Sequence, residues 1–432
     1  MKVSARFSSF LFVLAMALFS APLVGQDQEH DHSDHSHGTE SAEHNHDHDH
    51  DHDHGCGGAH HDDDKYDPAK MITGHIADAN EFHLWGEVAI PLPVILYAPG
   101  VGLKMGLSSM FHHGHDAVDG YVLNHGRVNR VAQAGFPMEG VVGVGGVTSE
   151  TVDGAEKYFV CYNNEKYLLD EPSTLDGGMM GGGISSFYDF SITKNVFTML
   201  LAALLLIFIW RAVAQGYQRN EGQAPSGIQS FMEPFFVFIR DEVTKPMIGE
   251  AKYERFQPFI MTLFFFILFC NLLGLVPFFP GSANVTGNIA VTFVLALLAF
   301  LVTNLNGNGH YWEHIFWMPG IPAWVKTILT PVEVLGLIIK PFSLMVRLFA
   351  NISAGHIIIL SLIGLIFLFG DSGASVSGSI TGIIVGGAFT AFMNLIEFLV
   401  AFLQAFVFAI LTASYIGAAV EEHEHHDHEH AH

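Results

Sequence analysis

Between Leu337 and Phe369 the chain is mostly Leu, Ile, Phe and Val, yet the string "PFSLMVRLFANISAGH" sets Arg347 inside that run. A guanidinium stays protonated at any biological pH, and at a bilayer centre it costs about 2.5–3.5 kcal/mol even on insertion scales. The charged residues around it, Lys326, Glu333, Lys340 and Arg347, follow one another at seven-residue steps. Seven residues turn a helix by about 700°, roughly 20° short of two turns, so the set drifts by about 60° and stays on one face. Asn351 joins that face, while His356 falls about 180° from Arg347. Further on, Glu397 and Gln404 are again seven apart, and Tyr415 extends the polar stripe. If the two helices pack antiparallel, the carboxylate, amide and phenol reach Arg347 and its neighbours.

Two readings compete. In the first, Glu397 and Gln404 neutralise Arg347 and glue the helices together. In the second, a titratable His and Glu near a fixed cation form a gated proton path. Two features favour the path: the stripe holds more ionisable groups than one glue pair needs, and His356 points away from the pairing face.

These groups need long apolar elements to position them. Apolar residues concentrate after Ser191, and several runs approach or exceed the roughly 20 residues that span hydrocarbon. Spans are predicted at Thr193 to Val213, Pro258 to Phe279 and Asn288 to Leu305. Residues Ala323 to Phe369 and Ser379 to Val420 pose a choice. At 1.5 Å per residue the first, as one helix, is roughly 70 Å long, more than twice the hydrocarbon thickness. Either the chain folds back on itself or a long helix lies strongly tilted. The segment "GIQSFMEPFFVFIRDEVTKPMIGEAKYERF" mixes aromatic and charged residues and reads as an interfacial piece. Arg211, Arg219, Arg240, Lys245, Lys252 and Arg255 put it in the cytoplasm by the positive-inside rule. Asn284, Thr286 and Asn288, at the mouth of a helix hairpin, are turn chemistry or polar lining, with turn chemistry favoured.

The N-terminal part differs in kind. Residues 1–25 have Lys2, Arg6 and then "FLFVLAMALF", the order of a secretory signal. Residues 26–65 are almost pure His, Asp, Glu, Ser and Gly, with "HNHDHDHDHDH" at their centre. With so little to bury, disorder is expected. His46, His48, His50 and His52 beside carboxylates suit Zn, Ni or Cu, as adventitious affinity rather than a firm site. Residues 66–176 show short β-type runs between Gly-rich turns and read as a small β domain. Residues 177–190 form a Gly-rich linker, in which Met179 and Met180 are better read as spacer than as soft-metal ligands. The His/Glu tail 421–432 closes the chain. The formal charge of −24 over 432 residues comes mostly from these His-rich ends, so it does not argue for cationic partners. Of three cysteines, Cys56 and Cys161 can pair in an oxidising compartment, though their spacing does not demand it, and Cys270 lies in an apolar run. The chain thus reads as an all-α polytopic membrane protein of about five spans, including two long tilted helices in a hairpin. An N-terminal, mostly β extracytoplasmic domain and disordered His-rich ends complete it.

The strings "KPFSLMVRLFANISAGH", "LVAFLQAFVFAILTASYIG" and "SANVTGN" together resemble subunit a of the F-type ATP synthases, the stator half of a proton channel. "FYDFSITKNVF" and "GIQSFMEPFFVFIRDEV" extend the resemblance over about Phe187 to Glu422. It implies that Arg347 is the family's essential arginine, facing a rotating ring of c subunits that each carry one mid-membrane carboxylate. Gln404 then matches the glutamine beside that arginine, and Asn351 lines the same contact. His356 and Glu397 match the paired titratable positions of a half-channel, and Glu333 a polar path toward one membrane face. Lys340, Asn284, Asn288 and Tyr415 are further candidate lining residues. Partners implied are the c-ring, the b subunits of the peripheral stalk, the F1 sector indirectly and the lipid bilayer. The expected location is a bacterial inner membrane, with the mature N-terminus periplasmic and the C-terminus cytoplasmic. The ends and the β domain depart from the family's common core.

No phosphate-binding loop or catalytic triad is present, so the chain is not expected to be an enzyme on its own, and no cofactor or nucleic acid is implied. The rival is a zinc transporter or a membrane-anchored metal-binding protein, suggested by the His-rich tracts. A carrier needs convergent His, Asp or Glu ligands within its spans, where this sequence places a permanent cation.

Overall fold

The computed structural model describes residues 72, 74 and 76–421, apart from 86–87, 132, 153–154, 175–184, 277–278, 319 and 371–375. The expected signal at 1–25, the tract 26–65 with His46, His48, His50 and His52, and Cys56 lie outside the described residues. So do Met179, Met180 and the tail beyond Glu421.

The chain divides into two units. Residues 91–191 form one, and the described residues up to Ile90 group with those from Ile192 onward. The sequence placed the whole of 66–176 in one β domain, but its first part belongs with the helices. The reason lies in contacts: Phe82 is buried against the rings of Phe197 and Phe279, with centroids 5.5 and 5.3 Å apart.

The strands begin with the paired β1 (Glu81–Trp85) and β2 (Val88–Pro91), and in the unit 91–191 β3 (Pro93–Ala98) lies between β12 (Tyr188–Asp189) and β4 (Gly102–Leu107). Strand β12 falls inside the stretch expected to be linker. A second sheet runs β7 (Arg127–Arg130), β6 (Tyr121–Asn124), β5 (Asp116–Val118), β8 (Val141–Gly143). A third runs β11 (Glu165–Leu168), β10 (Ala155–Tyr162), β9 (Val147–Val152). Alternation along β3 turns Val94, Leu96 and Ala98 inward onto Phe111, Tyr121 and Phe187, as period-two patterning requires. Between Tyr162 and Glu165 the two-residue turn holds Asn163 and Asn164 at φ 50° and 68°. Asn tolerates that left-handed region, and such a turn matches the strand twist.

The other unit is helical. Helix α1 (Lys194–Arg219) extends beyond the predicted end at Val213. Helix α2 (Ile228–Phe238) continues through a π turn at Ile239–Thr244 into a short turn at Lys245–Ile248. Then follow α3 (Tyr253–Leu275), α4 (Ile289–Leu305) and α5 (Gly309–Trp317), which the sequence did not suggest and which bends 103° from α4. Helices α6 (Ala323–Phe369) and α7 (Val376–Val420) are continuous over 47 and 45 residues, so the chain does not fold back within either. Among the described residues, 4 helices are long and apolar enough to cross a membrane, or 5 if α4 and α5 count as one broken span. The core gathers Phe264, Leu263, Ile267 and Leu295 with Leu344, Leu348, Ala405 and Ala409.

Helices α6 and α7 pack where small residues let them. A Cβ at Gly382 or Gly386 would stand 3.0 Å from Ile366, so these two glycines, four apart, admit the facing helix closely. The C-terminus of α7 is capped from elsewhere: Lys252 Nζ and Asn308 Nδ2 donate to the Val420 carbonyl at 2.7 and 2.9 Å. A cation there also suits the negative end of the helix dipole.

Candidate functional site

Helix α6 presents Arg347 near its middle. Leu344, Met345 and Leu348 around it are buried, while Arg347 itself is part-buried and Asn351, one turn on, is exposed. Among the described residues Arg347 has no ion-pair partner, and its guanidinium donates to Ser343 Oγ at 3.5 Å. The disfavoured glue reading, in which Glu397 and Gln404 neutralise Arg347, therefore does not hold for Glu397. That carboxylate is turned to the other side of α6.

Glu397 instead faces His356, with Nδ1 and Oε1 3.7 Å apart. This is too long for a direct hydrogen bond but close enough for one charge to govern the other. The half-turn offset of His356 from Arg347 does not take it out of the helix pair, as the sequence reading supposed. It points to a second line of contact with α7. Glu397 is 3% exposed and its Oε1 has no hydrogen-bond partner among the described residues. What admits it is Gly355, because a Cβ there would lie inside the carboxylate group. Sequence reasoning passed over this glycine, although its place beside His356 in "SAGH" was a signal.

Two further elements hold the His356 end. Asn271, a buried amide in the apolar run of α3, donates to the Ala401 carbonyl at 3.0 Å and accepts from Thr286 Oγ1 at 2.5 Å. It ties the 282–288 loop to α7 four residues past Glu397. Its signal was a single Asn inside a span. Ser353 Oγ, one turn before His356, donates to the Gly287 carbonyl at 3.3 Å. Asn288 caps α4, its side chain accepting from Ala290 N at 2.9 Å, which is turn chemistry as favoured. Asn284 does otherwise: it is buried, and neither atom of its amide has a partner among the described residues.

The rest of the stripe is spread along α6. Lys340 Nζ sits 5.6 Å from the Tyr415 ring, beside a cleft lined by Thr303, Asn304, Tyr311 and Leu344. Lys326 is taken up by the Trp317 ring at 4.5 Å, a cation–π contact with α5,. Glu333 is part-buried between them. Gln404 is part-buried on α7, seven residues from Glu397. So the structure joins His356 with Glu397 and Lys340 with Tyr415, and among the described residues no carboxylate pairs with Arg347. Among the described residues no three His, Cys, Asp or Glu side chains converge as a metal-ligand set, and nothing there supports the metal-carrier alternative.

A family model described as ATP synthase A chain matches residues 196–417. The chain belongs to the ATP synthase A chain family. ATP synthase subunit a of Chloroherpeton thalassium is 45% identical over 251 residues, 57% of this chain and 71% of that relative. ATP synthase subunit a of Myxococcus xanthus is 43% identical over 265 residues, 59% of this chain and 80% of the relative. For ATP synthase subunit a 2 of Chlorobaculum tepidum the figures are 42% over 238 residues, 54% and 64%. Membership of the ATP synthase A chain family makes the protein a non-catalytic membrane subunit of the ATP synthase complex. All the site residues from Asn284 to Tyr415 lie inside the matched region. A second model, a domain of unknown function, matches residues 71–143.

Proposed function

We propose that the protein is the stator subunit of the ATP synthase proton channel, and that Arg347 acts on the rotating c-ring so that proton flow drives rotation and ATP synthesis. The observation that carries this reading is the permanent cation of Arg347, half-buried in an apolar helix with no carboxylate among the described residues within ion-pair distance. A buried cation needs a partner charge, so the carboxylate comes from another chain. An exposed apolar row along α6, including Val332, Leu335, Ile339, Phe342 and Val346, offers that chain a surface.

The mechanism follows from the charge. A c-subunit carboxylate that meets Arg347 is held ionised, and it takes up a proton only after moving past. The guanidinium thus separates two half-channels that would otherwise short-circuit. His356 and Glu397 carry protons in one of them, while Glu333, Lys340 and Tyr415 line the other. Gln404 and Asn351 orient the arginine and its contact. Arg211, Arg219 and Arg240 set the α1–α2 side in the cytoplasm. That orientation puts the mature N-terminus outside and the C-terminal tail inside.

The test is Arg347→Ala in the assembled complex, with ATP-driven acidification of inverted membrane vesicles and passive proton leak as readouts. Loss of pumping in an assembled complex is expected. Pumping at a near-normal rate would reduce Arg347 to helix packing and end the rotary reading.

A further inference from the structure

The segment just before β1 (Glu81–Trp85) lies outside the residues matched to the ATP synthase A chain, yet it enters the helical unit at the start of α1. Asp78 Oδ1 accepts from the Asn195 backbone N–H at 3.1 Å and from Ala79 N at 3.0 Å. The Lys194 N–H donates to the Ala79 carbonyl at 2.8 Å. Phe82 then anchors the segment between Phe197 and Phe279. Asp78 and Lys194 are both buried, and each lies within electrostatic reach of the other. Lys194 is in turn within electrostatic reach of His356, which stands 3.7 Å from Glu397.

The polar groups around this line are unusual for an apolar unit. Both amide atoms of Asn80, Oδ1 of Asn195 and Oγ1 of Thr198 are buried and lack a hydrogen-bond partner among the described residues. Asn80 and Thr198 are each 0% exposed. Asn195 and Thr198 are three apart and Lys194 and Thr198 four apart, so all three share one side of α1. At the far end, Asn284 and Glu397 Oε1 are in the same condition. A buried polar atom left unmatched costs about 1–3 kcal/mol, and several together are stable only where water serves them.

We propose that Asp78 and Asn80, with Lys194, Asn195 and Thr198, form the water-filled mouth of the proton half-channel that leads to His356 and Glu397. An extension outside the matched family region thereby completes the path. Asp78 plays two parts there: one oxygen caps α1, and its charge lies within reach of the buried Lys194. This inference rests on the proposed half-channel role of His356 and Glu397.

The test uses the assembled complex in membrane vesicles. Thr198→Cys is treated with a small, water-soluble methanethiosulfonate reagent and compared with native Cys270, which is buried in the apolar interior of α3. Faster modification than at Cys270, with pumping blocked as the thiol reacts, is the expected result. Asp78→Asn keeps an oxygen for the Asn195 N–H but removes the charge, and it should slow ATP-driven pumping several-fold, with Asp78→Glu recovering it. Modification of Thr198→Cys no faster than Cys270, or native pumping by Asp78→Asn, overturns the proposal. Should Asp78→Asn fail to assemble, the reactivity of Thr198→Cys decides alone. Arg347→Ala in the same vesicles separates the two readings: loss there beside native pumping in Asp78→Asn sinks only the mouth.

Discussion

The carboxylate of Glu397 rests directly on the backbone of Gly355, so that α7 approaches α6 at this point with no side chain between them. His356 is the next residue, and its ring meets the same carboxylate from the side. A missing side chain thus fixes the acid beside the base.

Replacing that glycine tests how much the contact matters. In Gly355→Ala the new methyl group and the carboxylate claim the same space, and overpacking of this kind costs about 1–3 kcal/mol. Pumping should fall sharply in vesicles with a normal amount of complex. An unchanged rate would mean that Glu397 has other places to go.

Glu397→Gln separates charge from shape. The amide fills the same volume against Gly355, but it cannot release and regain a proton. Assembly should persist and proton pumping should be lost, measured as quenching of a pH-sensitive dye. Retained pumping would take Glu397 out of the path.

Asn271 holds the 282–288 loop to α7. Asn271→Ala removes the side-chain link to the Ala401 carbonyl and leaves the buried Thr286 hydroxyl without its acceptor, and such a buried orphan costs about 1–3 kcal/mol. The purified complex in detergent should lose this subunit at a lower temperature. A melting profile unchanged from the parent would show that the loop is held elsewhere.

In the β unit, Asp119 sits at φ 51° between β5 and β6. The Lys104 ammonium at 2.7 Å and the Gly140 N–H at 2.9 Å hold its carboxyl below the usual 3.8. A carboxylate depressed by folding contributes stability above its unfolded value, and that contribution is lost as pH falls through the folded one. Hydrogen exchange at Gly140 in the full chain should therefore quicken as pH drops below about 3.9, after correction for intrinsic rates. Asp119→Asn, which tolerates the left-handed backbone, should show that faster exchange already at neutral pH.

Much of this was legible in the chain and some was not, for identifiable reasons. Seven-residue spacing sufficed to put Lys326, Glu333, Lys340 and Arg347 along one long helix, because helical phase is a local property. Phase also set His356 opposite Arg347. It could not say which residue of α7 waits there, since that depends on how two helices slide against each other. The slide is governed by Gly355, Gly382 and Gly386, residues whose contribution is the space they leave. The part played by Asp78 was hidden for another reason. Its contact with α1 spans more than a hundred residues and crosses the β unit in sequence, where no periodicity reaches. Helix α5 was missed because its Gly309–Trp317 run is short and mixes aromatic with polar residues.

Helix α6 can also be viewed as a beam under a sideways load. It is fastened near one end by Lys326 on Trp317 and near the other by the Gly382 and Gly386 seam at Ile366. A beam fastened at both ends deflects most at its middle, and that is where Arg347 stands. Among the described residues, the buried side of α6 is concentrated at Leu344, Met345, Leu348 and Ile352, so the body of the unit props the helix at its weakest point. A push delivered to the arginine is resisted by compression of packed side chains rather than by bending of the helix.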